Sequence, residues 1–160
     1  MSILVACIGN IFQGDDAFGC EVAKVLAGRL ELQDVRLVDF GIRGLDLTYA
    51  LLDAPELTIL VDVVARGGKP GTLYTIEPDL ENLGDLAGQA TDAHSMDPVQ
   101  VLRTVKAMGG TLGRILLVGC EPGDLGDESG LMGLTPEVKD AVIQAATVVE
   151  SLIERELERV

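Results

Sequence analysis

Short segments, most of them near-continuous apolar runs, alternate with amphipathic helical patterns along this chain, and this alternation restricts the fold more than any other feature of the sequence. Such segments are typical of strands in a sheet that is covered on both faces. Each is far shorter than the roughly 20 residues that a membrane-spanning helix needs. We predict five strands: Ile3–Ile8, Val35–Phe40, Thr58–Val64, Thr72–Glu77 and Arg114–Gly119.

Four helical patterns lie between and after these strands, and in each of them apolar residues recur at helical spacing. They are the region from Val22 to Leu30, the segment Leu45–Leu52, and the regions that begin at Asp97-Pro98 and at Thr135-Pro136. A capping residue followed by proline is typical of a helix start. The alternation of strands and helices predicts right-handed crossovers and a parallel sheet.

One connection departs from this alternation. Only the segment ARGGKPG, residues 65–71, separates the third strand from the fourth. A crossover helix does not fit into so short a link, so the fourth strand is predicted to return antiparallel, as a hairpin. The chain lacks repeats and linker-like tracts, so we expect one domain over residues 1–160. The predicted fold is α/β, a three-layer α/β/α sandwich with a mixed five-stranded sheet whose fourth strand is antiparallel.

Composition restricts the partners and the compartment. The formal net charge is −14, from 26 acidic and 12 basic residues, and such a field repels nucleic acid and anionic lipid. We therefore expect neither a nucleic-acid nor a membrane partner. The three cysteines are odd in number and form no CxxC pair. This pattern indicates a reduced, cytoplasmic protein whose thiols pack as small hydrophobic groups.

The loop after the first strand resembles a phosphate-binding loop but carries the wrong charge. It reads GNIFQGDDAFG, with Gly9 and Gly14 followed by the adjacent acids Asp15 and Asp16. The middle glycine of the dinucleotide fingerprint is absent, and so is the Gly-Lys-Ser/Thr end of a P-loop. Two carboxylates at a helix N-terminus would compete with a phosphate. We expect Asp15 to cap the following helix and Asp16 to face a cation.

Acids follow several strands of the predicted sheet. The first strand leads to Asp16, the second ends at Asp39, the third contains Asp62 near its end, and Glu121 follows the fifth. The carboxyl ends of parallel strands lie at one edge, where ligands bind in open α/β folds. Asp62 lies within an apolar strand, and a buried unpaired carboxylate costs several kcal/mol. It therefore needs a partner or a cation.

The single histidine, His94, stands at the predicted head of the third helix, beside this acidic edge. With Asp16 and Asp62 it would form a mixed carboxylate–imidazole cation site, which suits Ni, Zn, Cu or Fe better than Ca or Mg. Several hydrolase classes are excluded, because the chain contains no HExxH helix, no G-x-S-x-G elbow and no Asp-Thr/Ser-Gly pair.

Five stretches in this order resemble the hydrogenase maturation proteases, the endopeptidases that process the large subunit of [NiFe] hydrogenases. They are GNIFQGDDAFG, VDVVARGGKPGTLYTIEP, AHSMDPVQVL, LLVGCEP and GLTPEVKDAV. The resemblance covers nearly the whole chain. It implies a three-layer fold with one antiparallel strand and an aspartyl-type endopeptidase activity that removes a C-terminal extension once nickel is in place.

The resemblance also implies residue roles. The family's metal-binding residues fall on Asp16, Asp62 and His94, and Asp39 matches an acid linked to activity or substrate contact, in a loop that here reads DFGIRG. The partner is the [NiFe] hydrogenase large-subunit precursor, which is cut after a basic residue near two cysteines. The nickel is carried by the substrate, so no permanently bound cofactor is expected, and the free protein is expected to be a monomer.

Two alternatives stay open at the level of sequence. One is an enzyme of the same layer order, similar to a phosphorylase or a peptidyl-tRNA hydrolase, which the negative charge disfavours. The other is a nickel-dependent assembly or checkpoint factor that binds the large subunit without cutting it, since no complete nucleophilic set is visible. The role of nickel in catalysis or recognition, and the choice of Asp16 or Asp62 as base, are likewise open.

Overall fold

A computed structural model describes residues 2–30, 33–83 and 96–159 of the chain. Its strands are β1 (Ile3–Ile8), β2 (Val35–Gly41), β3 (Leu57–Val63), β4 (Leu73–Ile76) and β5 (Arg114–Cys120). Its helices are α1 (Phe18–Ala27), α2 (Gly44–Leu52), α3 (Pro98–Ala107) and α4 (Pro136–Glu158), and a short 3₁₀ helix (Gly14–Ala17) precedes α1. The five predicted strands and the starts of α2, α3 and α4 are confirmed within one residue, whereas α1 begins at Phe18, four residues before the predicted pattern.

The five strands form one mixed sheet in the order β2-β1-β3-β5-β4. The pairs β1·β2, β1·β3 and β3·β5 are parallel, and β4 pairs antiparallel with β5. The predicted antiparallel fourth strand is therefore confirmed.

The predicted hairpin is wrong, because β5 lies between β3 and β4. The link of residues 64–72 passes over the carboxyl end of β5, where the Val64 amide donates to the Cys120 carbonyl at 2.9 Å. Skipping one strand requires a displacement of only about 10 Å, which a link of this length spans easily. A short link thus excludes a crossover helix without making its two strands neighbours.

Helices cover both faces of the sheet. On one face α1 and α4 pack together over a core that includes Phe18, Val22 and Val149. On the other face α2 and α3 pack together over Leu47 and Leu102. Each large aliphatic side chain that is fully buried contributes about 1.5–3 kcal/mol. Because helices cover both faces of the sheet, the central strands β1 and β3 are nearly continuous in apolar residues.

The start of α3 follows the expected capping chemistry. The Val99 amide donates to the Asp97 carboxylate at 3.0 Å, and Pro98 occupies the first turn. Such a cap typically contributes about 1 kcal/mol. Among the helices in the described part of the chain, none combines the length and the apolar character that a membrane crossing requires.

Candidate active site

The loop after β1 curls back over the carboxyl edge of the sheet. Its glycines allow close backbone approaches: a Cβ atom at Gly9 would overlap the carbonyl oxygen of Asp16, and Gly14 has a φ of +56°. Such a φ is unfavourable for side-chain-bearing residues. The glycines therefore let this loop place the acids of the 3₁₀ helix above the strand ends.

Asp16 is half-buried in this loop. Its Oδ2 accepts a hydrogen bond from the Asn10 amide at 3.0 Å. Burial raises the pKa of Asp16 above its ordinary value, and the bond from Asn10 only partly opposes that shift. The carboxylate is thus held in place by one backbone donor and retains oxygen lone pairs for another ligand.

Asp62 lies near the end of β3 and is only 7% exposed. It is in register with Gly119 of β5, and its Oδ1 accepts from the Val63 amide at 2.8 Å. Burial raises the pKa of Asp62 well above its ordinary value, and the charges of Asp16 and Asp97 raise it further. The structure thus brings Asp16 and Asp62 together at one edge, where a cation would relieve both desolvation and repulsion.

Asp39 lies near the end of β2 and is exposed. Its Oδ1 accepts from the Gly41 amide at 3.0 Å and from the thiol of Cys20 at 3.3 Å. Burial and the bond to Asp39 raise the pKa of Cys20 to about 12. Asp39 is therefore fixed on its inner side by α1, while its outer side faces solvent at the carboxyl edge.

Asp15 does not cap α1, so that prediction is wrong. It is fully buried, and its carboxylate bridges to the distant loop after β5. Oδ2 accepts from the amides of Gly123 (2.7 Å) and Asp124 (2.9 Å) and from the Thr135 hydroxyl (2.8 Å), and Oδ1 accepts from the Thr135 amide (2.7 Å). These donors come within reach only through the tertiary fold, since Asp15 and Asp124 are 109 positions apart.

Glu121 lies at the predicted edge, where it orders the link between β3 and β4. Its Oε1 accepts from the amides of Arg66 (2.8 Å) and Gly68 (3.0 Å) and from the Tyr74 hydroxyl (2.7 Å). Burial would raise the pKa of Glu121, but these three bonds outweigh it and leave the pKa below its ordinary value. Glu121 is thus occupied by donors of the protein itself.

His94 falls outside the described residues, so its predicted place beside Asp16 and Asp62 stays a prediction. Within residues 2–30, 33–83 and 96–159, no group of three or more His, Cys, Asp or Glu side chains is arranged to hold a metal ion. All three cysteines are free and buried, as predicted. Of the three predicted ligands of the cation, Asp16 and Asp62 therefore lie among the described residues.

The sequence analysis missed two residues that position Asp16 and Asp39. Asn10 holds Asp16 through its amide, and Cys20 holds Asp39 through its thiol. Asn10 follows the glycine at the end of β1, a place where a polar residue often organises a turn. Cys20 carries no such signal, because in a helix pattern it is indistinguishable from any small core residue.

Two carboxylates at such an edge can bind a cation and, with one of them free, accept a proton from an attacking water. Their oxygen atoms are suitable ligands for a hard or borderline metal ion, and the remaining ligands of that ion must come from other groups.

Comparisons with known proteins identify the family of this chain. The sequence model of a family described as hydrogenase maturation protease matches residues 20–152. The chain is 30% identical over 147 residues to the hydrogenase 2 maturation protease of Escherichia coli, covering 91% of this chain and 86% of that protein. It is 33% identical over 129 residues to the hydrogenase expression/formation protein HupD of Rhodobacter capsulatus, covering 80% of this chain and 60% of that protein.

A solved structure has the same fold. The hydrogenase maturating endopeptidase HybD from E. coli superposes with a TM-score of 0.83 at 25% sequence identity, and the match covers 98% of this chain and 94% of that one.

Proposed function

Because this chain belongs to the hydrogenase maturation protease family, we propose that it is the endopeptidase that removes the C-terminal extension of a [NiFe] hydrogenase large subunit after nickel insertion. The observation that carries this proposal is the acid pair Asp16 and Asp62. Both acids lie at the carboxyl edge of the sheet, and burial raises the pKa of each. Such a pair is an unfavourable arrangement for a folded protein unless a cation or a proton completes it.

The nickel of the substrate is the cation that we assign to this pair. The chain contains one histidine, and its three cysteines are buried, so it offers few ligands of the kinds that hold nickel permanently. Asp16, Asp62 and His94 would supply three ligands, and substrate groups would complete the shell. The enzyme would thereby distinguish a nickel-loaded large subunit from an empty one before cutting.

The protein's own residues would then divide the remaining work. A carboxylate oxygen of Asp16 or Asp62 that does not bind the metal would take a proton from water. Asp39, which is exposed, would meet a basic side chain of the substrate. Asn10 and Cys20 act as positioning residues for Asp16 and Asp39.

The test compares nickel-loaded and nickel-free large-subunit precursor side by side, with the C-terminus followed by mass spectrometry. We expect the wild-type protein to shorten only the loaded precursor. Asp62→Asn should abolish this cleavage without unfolding the protein, because the amide oxygen still accepts from Val63. Asp140→Asn, an exposed acid on α4, is the matched control and should cleave normally. An intact precursor in a stable complex with the wild-type protein would instead indicate a non-cleaving checkpoint factor.

A further inference from the structure

Large exposed hydrophobic side chains concentrate in two neighbouring loops. Eleven large hydrophobic side chains are exposed among the described residues, and five of them lie in the loop after β1 and the loop after β5. We call these five residues the apolar platform: Ile11, Phe12, Leu125, Leu131 and Met132. Phe12 is 61% exposed and Met132 is 69% exposed. Single exposed hydrophobic residues are ordinary, whereas a concentration of them marks an interaction surface.

The two loops are fastened to each other through their backbones. The Leu131 amide donates to the Phe12 carbonyl at 2.9 Å, and the Gly14 amide donates to the Leu131 carbonyl at 2.7 Å. The Asp15 amide donates to the Asp124 carbonyl at 2.8 Å, and the Asp15 side chain adds its own bonds to the same loop. The platform is therefore preorganised, which lowers the entropic cost of binding.

The platform is directly connected to the candidate active site. The Phe12 amide donates to the Asn10 side-chain oxygen at 2.9 Å, and the Asn10 amide donates to the Asp16 carboxylate at 3.0 Å. A polypeptide that is held on Phe12 would thus lie close to Asp16.

The charge around the platform selects the chemistry of its partner. Residues 9–17 and 121–135, all of them described, contain no Lys or Arg, and Asp124, Asp127 and Glu128 are exposed beside the platform. A surface of apolar side chains with an acidic border repels anionic lipid and nucleic acid. It is complementary to a polypeptide that presents apolar side chains flanked by basic ones.

We propose that the apolar platform is the docking surface on which the protein substrate places an apolar segment flanked by Lys, Arg or His, beside the residues that cut it. This inference rests on the proposed function, in which the substrate is a protein. It assigns the surface that gives the enzyme its affinity for that substrate. Since interface energy concentrates in a few central side chains, Phe12 and Met132 should dominate binding.

The experiment measures KM, kcat and binding with the nickel-loaded large-subunit precursor. Phe12→Asp and Met132→Asp should each raise KM and the dissociation constant about tenfold while kcat stays within about twofold. The matched controls are Met108→Asp and Ile143→Asp, which change side chains 56% and 51% exposed, in the turn after α3 and on α4. Both controls should behave as wild type. Circular dichroism checks the fold, and Phe12→Ser and Met132→Ser replace any variant that misfolds.

Unchanged KM and binding in the platform variants would overturn the inference, as would equal losses in the controls. Binding of the wild-type protein to anionic vesicles that is lost in Phe12→Asp would also overturn it, because the platform would then serve a membrane. If the wild-type protein binds the precursor without shortening it, the proposed function fails, but weaker binding in the platform variants would still support this docking surface.

Discussion

At the residue scale, two adjacent acids of the same type have different environments. Asp15 is fully buried and accepts four hydrogen bonds from the loop after β5, whereas Asp16 is half-buried and accepts one from Asn10. Both belong to one 3₁₀ turn, in which successive side chains point about 120° apart. The turn therefore directs one carboxylate into the protein and the other toward the edge of the sheet.

We expect Asp15→Ala to destabilise the protein strongly. The change leaves the amides of Gly123, Asp124 and Thr135 without their side-chain acceptor, and lost bonds to a charged group should lower the free energy of unfolding by at least about 3 kcal/mol. Urea denaturation measures this loss. Asp127→Ala, which removes an exposed acid in the same loop, should change the free energy by less than about 1 kcal/mol. Equal effects of the two changes would contradict the structural role of Asp15.

At the element scale, the link between β3 and β4 has no regular secondary structure, yet several hydrogen bonds hold it in place. The Gly71 amide donates to the Glu121 carbonyl at 2.9 Å, and the Glu121 amide donates to the Thr72 carbonyl at 2.8 Å. The Glu121 side chain then holds Arg66 and Gly68 through their amides. The link thereby covers the carboxyl end of β5.

Two glycines of this link allow a matched comparison. Gly67 and Gly71 have φ values of +81° and +88°, so alanine at either position costs about 1–2 kcal/mol in backbone strain. A Cβ at Gly67 meets no atom within 4 Å, whereas one at Gly71 would lie 2.6 Å from the carbonyl oxygen of Glu137 in α4. Gly71→Ala should therefore lower the melting temperature clearly more than Gly67→Ala, as measured by calorimetry. Similar melting temperatures would show that the link does not pack against α4 in this way.

At the scale of the whole molecule, the excess of acids affects stability as well as recognition. The formal net charge of −14 makes the folded protein repel itself. Several ion pairs of the described surface, such as Lys24–Glu21 and Arg43–Asp46, are exposed and contribute little. Repulsion should therefore outweigh attraction in the electrostatic part of the folding free energy.

We accordingly expect added salt to stabilise the protein. An increase in ionic strength from about 0.01 M to about 0.1 M shortens the Debye length from about 30 Å to about 10 Å and should raise the melting temperature by a few degrees. NaCl and KCl should act alike, because the effect is screening and not specific ion binding. A melting temperature that falls with salt would mean that the ion pairs dominate.

The sequence by itself determined the strands, the helices and the edge at which the acids collect. These features depend on periodicity and on the rule that parallel strands end together, both of which are readable from local stretches such as TILVDVV. The antiparallel direction of β4 also followed from the length of one link. The specific motifs of the chain led to the correct family, since their order along the chain is more restrictive than any one of them.

Only the tertiary structure decided which distant groups meet. It placed β5 between β3 and β4, turned Asp15 toward Thr135, and set the thiol of Cys20 against Asp39. It also joined the two loops that carry Phe12 and Met132 into one surface. The physical reason is that a local pattern reports the burial of a residue but not its partner, because the partner depends on strand order and on loop paths that are selected by the packing of the whole core.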